Sequence, residues 1–144
     1  MSVGFQVTFD CADPAGLGKF WATALGYVEQ PPPPGFDSWD DFLDSIAVPE
    51  DERDGMYAVV DPDGDRPRLL FQRVPEGKSA KNRMHLDVNV GGGRAVGIEE
   101  RKAVIQAKID ELVPLGARVL RHAEENGEYW VVLQDPEDNE FCLQ

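Results

Sequence analysis

Apolar and polar residues alternate most cleanly over residues 81–90, KNRMHLDVNV. Such alternation is typical of a β-strand with one covered face and one polar face. The covered face would carry Met84, Leu86, Val88 and Val90, and the polar face His85, Asp87 and Asn89. An amphipathic helix pattern follows, so we expect that helix to cover the apolar face. The pattern leaves open whether the polar face is merely solvated or lines a pocket, because antiparallel sheets often have one wet face.

Residues 3–11 repeat this design near the start of the chain. The apolar face would carry Val3, Phe5, Val7, Phe9 and Cys11, and the polar face Gly4, Gln6, Thr8 and Asp10. Asp13 and Pro14 indicate a helix start, since aspartate caps a helix N-terminus and proline suits the first helical position. Apolar residues follow at helical spacing, and Gly26 suits the end of that helix.

Residues 30–55 interrupt the alternating pattern. The stretch QPPPPGF is a stiff, extended connector, because consecutive prolines exclude a helix and a central strand. A short helix, SWDDFLDSIA, is predicted to begin at Ser38. Its anchoring residues would be Trp39, Phe42, Leu43 and Ile46. Two interpretations remain open for this insertion: a packed cover over a sheet edge, or a lid over a pocket mouth.

The rest of the chain predicts further strands and one long helix. Residues 56–60 and 68–74 form a hairpin pattern around the turn DPDGD, which lacks the additional oxygen ligands of a calcium loop. Residues 99–115 predict a helix with one apolar stripe: Ile105, Ile109, Leu112 and Val113. Residues 118–122, 128–134 and 140–143 then predict three strands, and the turn DPEDN joins the last two.

The two halves of the chain match in the order of their elements. Each has a strand, a helix that ends in Leu-Gly, and further strands with an Asp-Pro turn between the last two. Repetition at this scale predicts a duplicated β-α-β-β-β unit. The first module would span residues 3–74, with the insertion at 30–55, and the second residues 82–144, within a single domain.

Charge and cysteine content narrow the functional classes. Lys and Arg number 14 against 27 Asp and Glu, a net charge of −13 that disfavours nucleic acid and anionic membranes as partners. The charge serves solubility or attracts cationic small molecules. The N-terminal sequence has no export or membrane-spanning pattern, so we expect a soluble, cytoplasmic protein in which Cys11 and Cys142 are reduced thiols.

Three stretches, FDCADPAGLGKFWATALGY, RMHLDVNV and DPEDNEFCL, resemble the glyoxalase-like domains of the glyoxalase, bleomycin-resistance and extradiol dioxygenase group, the vicinal oxygen chelate superfamily. The resemblance spans essentially the whole chain. It implies an α+β fold of two β-α-β-β-β modules whose mixed sheets curl around a shared cleft, with the helices outside. It also implies a homodimer.

The resemblance further implies four candidate ligand positions, one on the first and one on the last strand of each repeat. They fall on Gln6, Gln72, His85 and Cys142. The family usually places glutamate where this chain has Gln72 and Cys142, so a divalent ion would lose two anionic oxygens. Glu140 is the nearest carboxylate that could substitute, and Asp87 shares the polar face of His85. Each of these residues also has an ordinary structural interpretation in a sheet.

We therefore expect a small-molecule-binding protein whose standard metal site is eroded, with no cofactor. The first alternative is a metal-dependent lyase or isomerase that uses a divalent ion at Gln6, Gln72, His85 and Cys142. The second alternative is a metal-free protein that sequesters a cationic antibiotic. Lyase or isomerase activity rests on the resemblance alone, and the sequence does not identify the ligand. Aromatic lining would come from Trp130 or Tyr129, which alternation places on opposite faces.

Overall fold

The computed structural model describes all residues, 1–144. The chain divides into two compact units: residues 1–22 with 26–77, and residues 23–25 with 78–144. Each unit contains one four-stranded mixed sheet with a single parallel strand pair. These two sheets confirm the predicted α+β class. The shared cleft between the modules stays a prediction.

The first sheet has the strand order β1-β4-β3-β2. In chain order the elements are β1 (Val7–Cys11), α1 (Pro14–Leu25), β2 (Val28–Glu29), α2 (Trp39–Ser45), β3 (Met56–Val60) and β4 (Leu69–Arg73). A 3₁₀ helix, Glu50–Gly55, precedes β3. The strand β2 completes the expected β-α-β-β-β order, although the pattern of apolar residues did not locate it.

The second sheet has the strand order β5-β8-β7-β6. Its elements are β5 (Asp87–Val88), α3 (Ile98–Leu112), β6 (Arg118–Glu125), β7 (Glu128–Gln134) and β8 (Glu140–Leu143). A 3₁₀ turn, Val113–Leu115, follows α3. No helix of the structure combines the length and the apolar character needed to cross a bilayer.

The ends of α1 confirm the sequence prediction. The Asp13 carboxylate accepts a hydrogen bond from the Gly16 amide at 3.1 Å, and Pro14 occupies the first helical turn. Gly26 ends the helix in the left-handed region, at φ 71°. These are local signals, since each depends on residues within one helical turn.

The helix α1 packs closely on the first sheet. Trp21 is 1% exposed, and its ring lies 5.3 Å from that of Phe9. A Cβ atom at Gly18 would lie 2.3 Å from a ring carbon of Tyr57 and 3.2 Å from Phe71. Glycine at this position therefore allows the helix to approach Tyr57 and Phe71, which identifies the sheet face that α1 covers.

The first predicted strand is too long. It begins at Val7, whose amide donates to the Arg68 carbonyl at 3.0 Å, and the register continues from Val7 opposite Leu69. Residues 1–6 lie outside the sheet, and the side chains of Val3 and Phe5 are largely exposed. Apolar and polar residues alternate in the sequence well before Val7, where pairing with β4 begins. The alternation therefore overestimated the length of the strand.

The strand predicted over residues 81–90 is also shortened, to Asp87–Val88. Met84 is 87% exposed rather than covered, whereas Val88 is buried as expected. Before the strand, the Asn82 side chain accepts a hydrogen bond from the Glu140 amide (2.8 Å) and donates to its carbonyl (3.1 Å). A side chain thus replaces the backbone pairing that the pattern predicted.

The long helix and the insertion helix follow their predictions with small differences. Ile105, Ile109 and Leu112 are buried as expected, but Val113 is 46% exposed because α3 gives way there to the 3₁₀ turn that contains Pro114. The Ser38 hydroxyl caps α2 by accepting from the Asp41 amide at 3.0 Å.

Both predicted Asp-Pro turns are present. Their aspartates are both buried, but the two carboxylates differ in how many hydrogen bonds they accept. The Asp135 carboxylate is fully buried and accepts hydrogen bonds from the Glu137 amide, the Asn139 amide and the Asn139 side chain. The Asp61 carboxylate accepts one bond, from the Asp63 amide at 3.1 Å, while its second oxygen is buried without a partner.

We predict that Asp135→Ala lowers the free energy of unfolding by about 3 kcal/mol, because it leaves several partly buried donors without their charged acceptor. The matched variant Asp61→Ala should cost about 1 kcal/mol, since it removes one hydrogen bond and one unsatisfied oxygen. Urea titrations followed by circular dichroism measure both values. Equal losses in the two variants would contradict this account of the turns.

Candidate functional site

Three polar side chains converge on one face of the second sheet. The parallel pairing of β5 with β8 sets Asp87 opposite Cys142, and His85 lies two residues before Asp87. His85 Nε2 lies 3.2 Å from Asp87 Oδ1. One ligating atom from each of His85, Asp87 and Cys142 lies within 4.8 Å of the others. We refer to these three residues as the His85 cluster.

The His85 cluster borders a cavity of about 390 Å³. Its remaining wall consists of Glu128, Tyr129, Trp130 and Gln144. The antiparallel pairing of β7 with β8 sets Val132 opposite Cys142, so alternation places Trp130 on the face of the cluster. The tyrosine is engaged elsewhere: its hydroxyl lies 2.7 Å from His122 Nδ1, and Lys102 Nζ lies 5.5 Å from its ring centre. Trp130 is therefore the aromatic residue available to a ligand.

Two carboxylates border the cavity, and only one of them forms no ion pair with an arginine. Glu128 forms ion pairs with both Arg94 and Arg101, and the Arg101 side chain is 9% exposed. Asp87 faces His85 and the Cys142 thiol instead. Asp87 therefore supplies the negative charge that acts on His85 and Cys142.

The electrostatics of the cluster keep the thiol protonated. Burial raises the pKa of Cys142, and the negative charge of Asp87 and its hydrogen bond with the thiol raise this pKa further. Arg121 and Lys81 lower the pKa but do not reverse the shift. At neutral pH the Cys142 side chain is thus a neutral thiol, not a thiolate.

Glu140 is separate from the His85 cluster, although it shares a sheet face with Cys142. Its carboxylate accepts from the Asn82 amide at 3.3 Å and lies 3.2 Å from Lys78 Nζ. Burial acts to raise the pKa of Glu140, but backbone hydrogen bonds and Lys78 lower it overall. The glutamate is therefore a charged anchor for residues 78–82.

Gln6 and Gln72 lie in the first unit, and each has its own partners. Gln6 Oε1 accepts from Arg68 at 3.0 Å, and Gln6 Nε2 donates to the Thr8 hydroxyl at 3.4 Å. Gln72 Nε2 donates to the Asp10 carboxylate at 2.8 Å. Convergence of these two glutamines with His85 and Cys142 stays a prediction.

Contacts within the two sheets reveal which residues correspond in the two repeats. Gln6 contacts Thr8, and His85 contacts Asp87, two residues further along in each case. Gln72 bonds to Asp10, and Gln144 bonds in the same way to Asn89 at 2.9 Å. These correspondences are Gln6 with His85, Thr8 with Asp87, Asp10 with Asn89 and Gln72 with Gln144.

This register corrects the expected equivalence of Gln72 with Cys142. If Thr8 corresponds to Asp87, then the partner of Thr8 across the parallel pair, Leu70, corresponds to Cys142. The Asp-Pro turns agree: Val59 and Leu133 each lie two residues before the turn aspartate, and they pair with Leu69 and Phe141. The repeat position of Cys142 thus holds an apolar residue in the first unit.

Comparison with known proteins identifies the family. The profile of the glyoxalase-like domain matches residues 6–144. No match was found among curated proteins.

Several solved structures share the fold. A glyoxalase/bleomycin resistance protein/dioxygenase family enzyme from Burkholderia phytofirmans PsJN has 16% identity and a TM-score of 0.60, over 96% of this chain and 94% of its own. A variant of the fosfomycin resistance protein FosX from Listeria monocytogenes, complexed with Mn(II) and 1S,2S-dihydroxypropylphosphonic acid, has 10% identity and a TM-score of 0.62, over 100% and 90%.

A third neighbour is the bleomycin-binding protein from Streptomyces verticillus, complexed with copper(II)-bleomycin. It has 14% identity and a TM-score of 0.53, over 100% of this chain and 96% of its own. At these identities the structural likeness shows the fold alone, whereas the profile match covers nearly the whole sequence. The chain belongs to the glyoxalase-like domain family, within the vicinal oxygen chelate superfamily.

Proposed function

We propose that this protein binds a small organic molecule in the cavity beside the His85 cluster, and that the family's metal site is eroded in it. The supporting observation is the convergence of His85, Asp87 and Cys142 next to Trp130 in one cavity. A few convergent polar groups beside an aromatic wall are the usual mark of an organic-ligand site. Two structural neighbours were solved with small molecules bound, which is a precedent for this use of the fold.

The donor set does not fit a hard ion such as the Mn(II) of the Listeria protein. Manganese prefers carboxylate and other oxygen ligands. The His85 cluster offers one carboxylate, one imidazole and a thiol that is protonated at neutral pH. Glu140 is held by Asn82 and Lys78, and Leu70 occupies the repeat position of Cys142. The residues present therefore do not form a site for manganese.

Each member of the cluster has a role in holding a polar ligand. The Asp87 carboxylate beside Nε2 favours a proton on that nitrogen, so that Nδ1 of a neutral His85 accepts a hydrogen bond. The Cys142 thiol donates its proton to Asp87, so that its sulfur is a weak acceptor for a ligand. Trp130 offers an aromatic surface on the same face. The site therefore suits a molecule with a flat apolar part and a neutral donor group.

We predict that His85→Ala weakens ligand binding about tenfold, since it removes the central acceptor of the cavity. The probe is a library of neutral heteroaromatic fragments, measured by ligand-observed NMR and titration. The control is Gln106→Ala, an exposed polar residue of α3 that bonds only to Asp110 and does not border the cavity. Unchanged binding to His85→Ala, or equal losses in both variants, would refute the proposal.

We predict that Asp87→Asn lowers the pKa of Cys142, because the charge of Asp87 raises it. Alkylation by iodoacetamide follows the thiolate fraction, so it should accelerate at pH 7–8 in this variant. Mass spectrometry after a timed reaction measures modification at each cysteine. Buried Cys11 is the internal control and should react slowly in both proteins. An unchanged rate at Cys142 would contradict the role of Asp87.

A metal-dependent lyase or isomerase is the second candidate function, and the close approach of the three donors favours it. Imidazole, thiolate and carboxylate suit zinc, but binding would first require loss of the thiol proton. We expect elemental analysis of protein purified without a polyhistidine tag to find less than stoichiometric metal. Stoichiometric zinc that disappears in both His85→Ala and Cys142→Ala would establish the metal candidate instead. Sequestration of a cationic antibiotic and the homodimer stay predictions.

A further inference from the structure

The insertion forms a second cavity with the first sheet. Side chains of α2 and the residues after it face the sheet across a space of about 500 Å³. The apolar residues of its wall on the insertion side include Trp39, Phe42, Leu43 and Ile46. The sheet contributes Ala58 and Leu70, which pair with each other and alternate with the residues under α1. The insertion is thus one wall of a pocket, on the sheet face opposite α1.

Hydrogen bonds within the first unit hold this wall in place. Arg53 donates to the Val48 carbonyl from Nε at 3.1 Å and from a terminal nitrogen at 2.8 Å. The same guanidinium pairs with Asp44 at 2.5 Å and with Asp40 at 3.4 Å. The Trp39 indole donates to the Gln30 carbonyl at 2.8 Å. A preformed wall lowers the ordering cost of binding.

Arg68 borders the same cavity and has only neutral side-chain acceptors. Its Nε donates to Gln30 Oε1 at 2.5 Å, and one terminal nitrogen donates to Gln6 Oε1 at 3.0 Å. Neither acceptor balances the positive charge, and the second terminal nitrogen remains for another partner. A guanidinium matches a carboxylate better than it matches a neutral group.

The acidic residues around this cavity do not balance Arg68. Asp40 pairs with Arg53, and Glu52 is exposed to solvent. Glu29 also borders the cavity, but its carboxylate accepts a hydrogen bond from the hydroxyl of Tyr57, and no ion pair joins Glu29 to Arg68. Burial and then Glu29 raise the pKa of Tyr57 to about 12, so this tyrosine stays neutral.

We propose that the insertion cavity is a second binding site, which takes an aromatic carboxylate. The carboxylate would bind Arg68, and the ring would lie between the apolar side chains of α2 and the sheet. The residues that border it all belong to the first unit, whereas those of the cavity beside His85 belong to the second.

The test uses two probes of equal shape, 2-naphthoate and neutral 2-naphthamide, titrated by calorimetry into the full chain. We expect Arg68→Gln to weaken 2-naphthoate at least about tenfold and 2-naphthamide much less, because only the first binds through charge. Arg68→Lys keeps the positive charge but lacks the forked donor of the guanidinium, so its affinity for 2-naphthoate should lie between those of the unmodified protein and Arg68→Gln. The matched control is Arg66→Gln, an exposed arginine two residues away, which should bind both probes as the unmodified protein does.

The location of the probe is read from the Trp39 indole N–H resonance, which 2-naphthoate should shift. The ratio of the two affinities is compared in whichever Arg68 variants retain the circular dichroism of the unmodified protein. Equal loss of both probes in these variants, or no binding of 2-naphthoate, would overturn the proposal. Binding abolished by His85→Ala but unaffected by Arg68→Gln would place the probe in the other cavity, which would refute this inference and leave the first proposal intact.

Discussion

The parallel pairing of β5 with β8 is the interaction on which the candidate site depends. It is short, yet backbone bonds from Cys142 to Leu86 and from Gln144 to Val88, both 3.0 Å, fix its register. Side chains alternate with a period of two, so a slip of one residue would turn Cys142 towards the buried face of the sheet and bring buried Leu143 out. This register therefore puts Asp87 and Cys142 on one face, and the antiparallel register of β7 with β8 adds Trp130 to it.

The repeats keep the same backbone frame but have diverged in the chemistry of that face. Equivalent contacts survive between Gln6 and Thr8 and between His85 and Asp87. Across the parallel strand pair, however, Thr8 lies opposite Leu70 in the first unit, whereas Asp87 lies opposite Cys142 in the second. The second unit thus has a polar cluster at this point, whereas the first unit has an apolar residue there, which borders the insertion cavity. The two sheets are thus similar in register, and substitution at a few positions of one face has given those faces different side chains.

How much could be predicted from the sequence depended on the range of the interactions involved. The ends of α1 and the cap of α2 were predictable, because Asp13, Gly26 and Ser38 act within one turn. Strand lengths were overestimated at Val3 and Met84, because a strand ends where its distant partner ends. The equivalence of Gln72 with Cys142 was wrong for a similar reason, because the two hairpins differ in length. Val59 pairs with a residue ten positions later in the chain, whereas Leu133 pairs with one eight positions later. A difference of two residues in hairpin length leaves the alternation of apolar and polar residues unchanged, so the sequence pattern could not reveal this difference. The insertion cavity required tertiary contacts that no local pattern contains.

The net charge of −13 opposes the approach of an anion, so an anionic ligand needs local attraction at the insertion cavity. At physiological ionic strength, charges beyond about 8 Å are largely screened, whereas a carboxylate in contact with Arg68 is not. The hydrogen bonds from Arg68 to Gln6 and Gln30 orient the guanidinium without neutralising it. Around His85 the situation is reversed, because Asp87 adds a negative charge at short range and keeps the thiol protonated. Under the two proposals, Arg68 favours an anion in the insertion cavity and Asp87 disfavours one beside His85, whereas the net charge mainly affects how fast a ligand arrives.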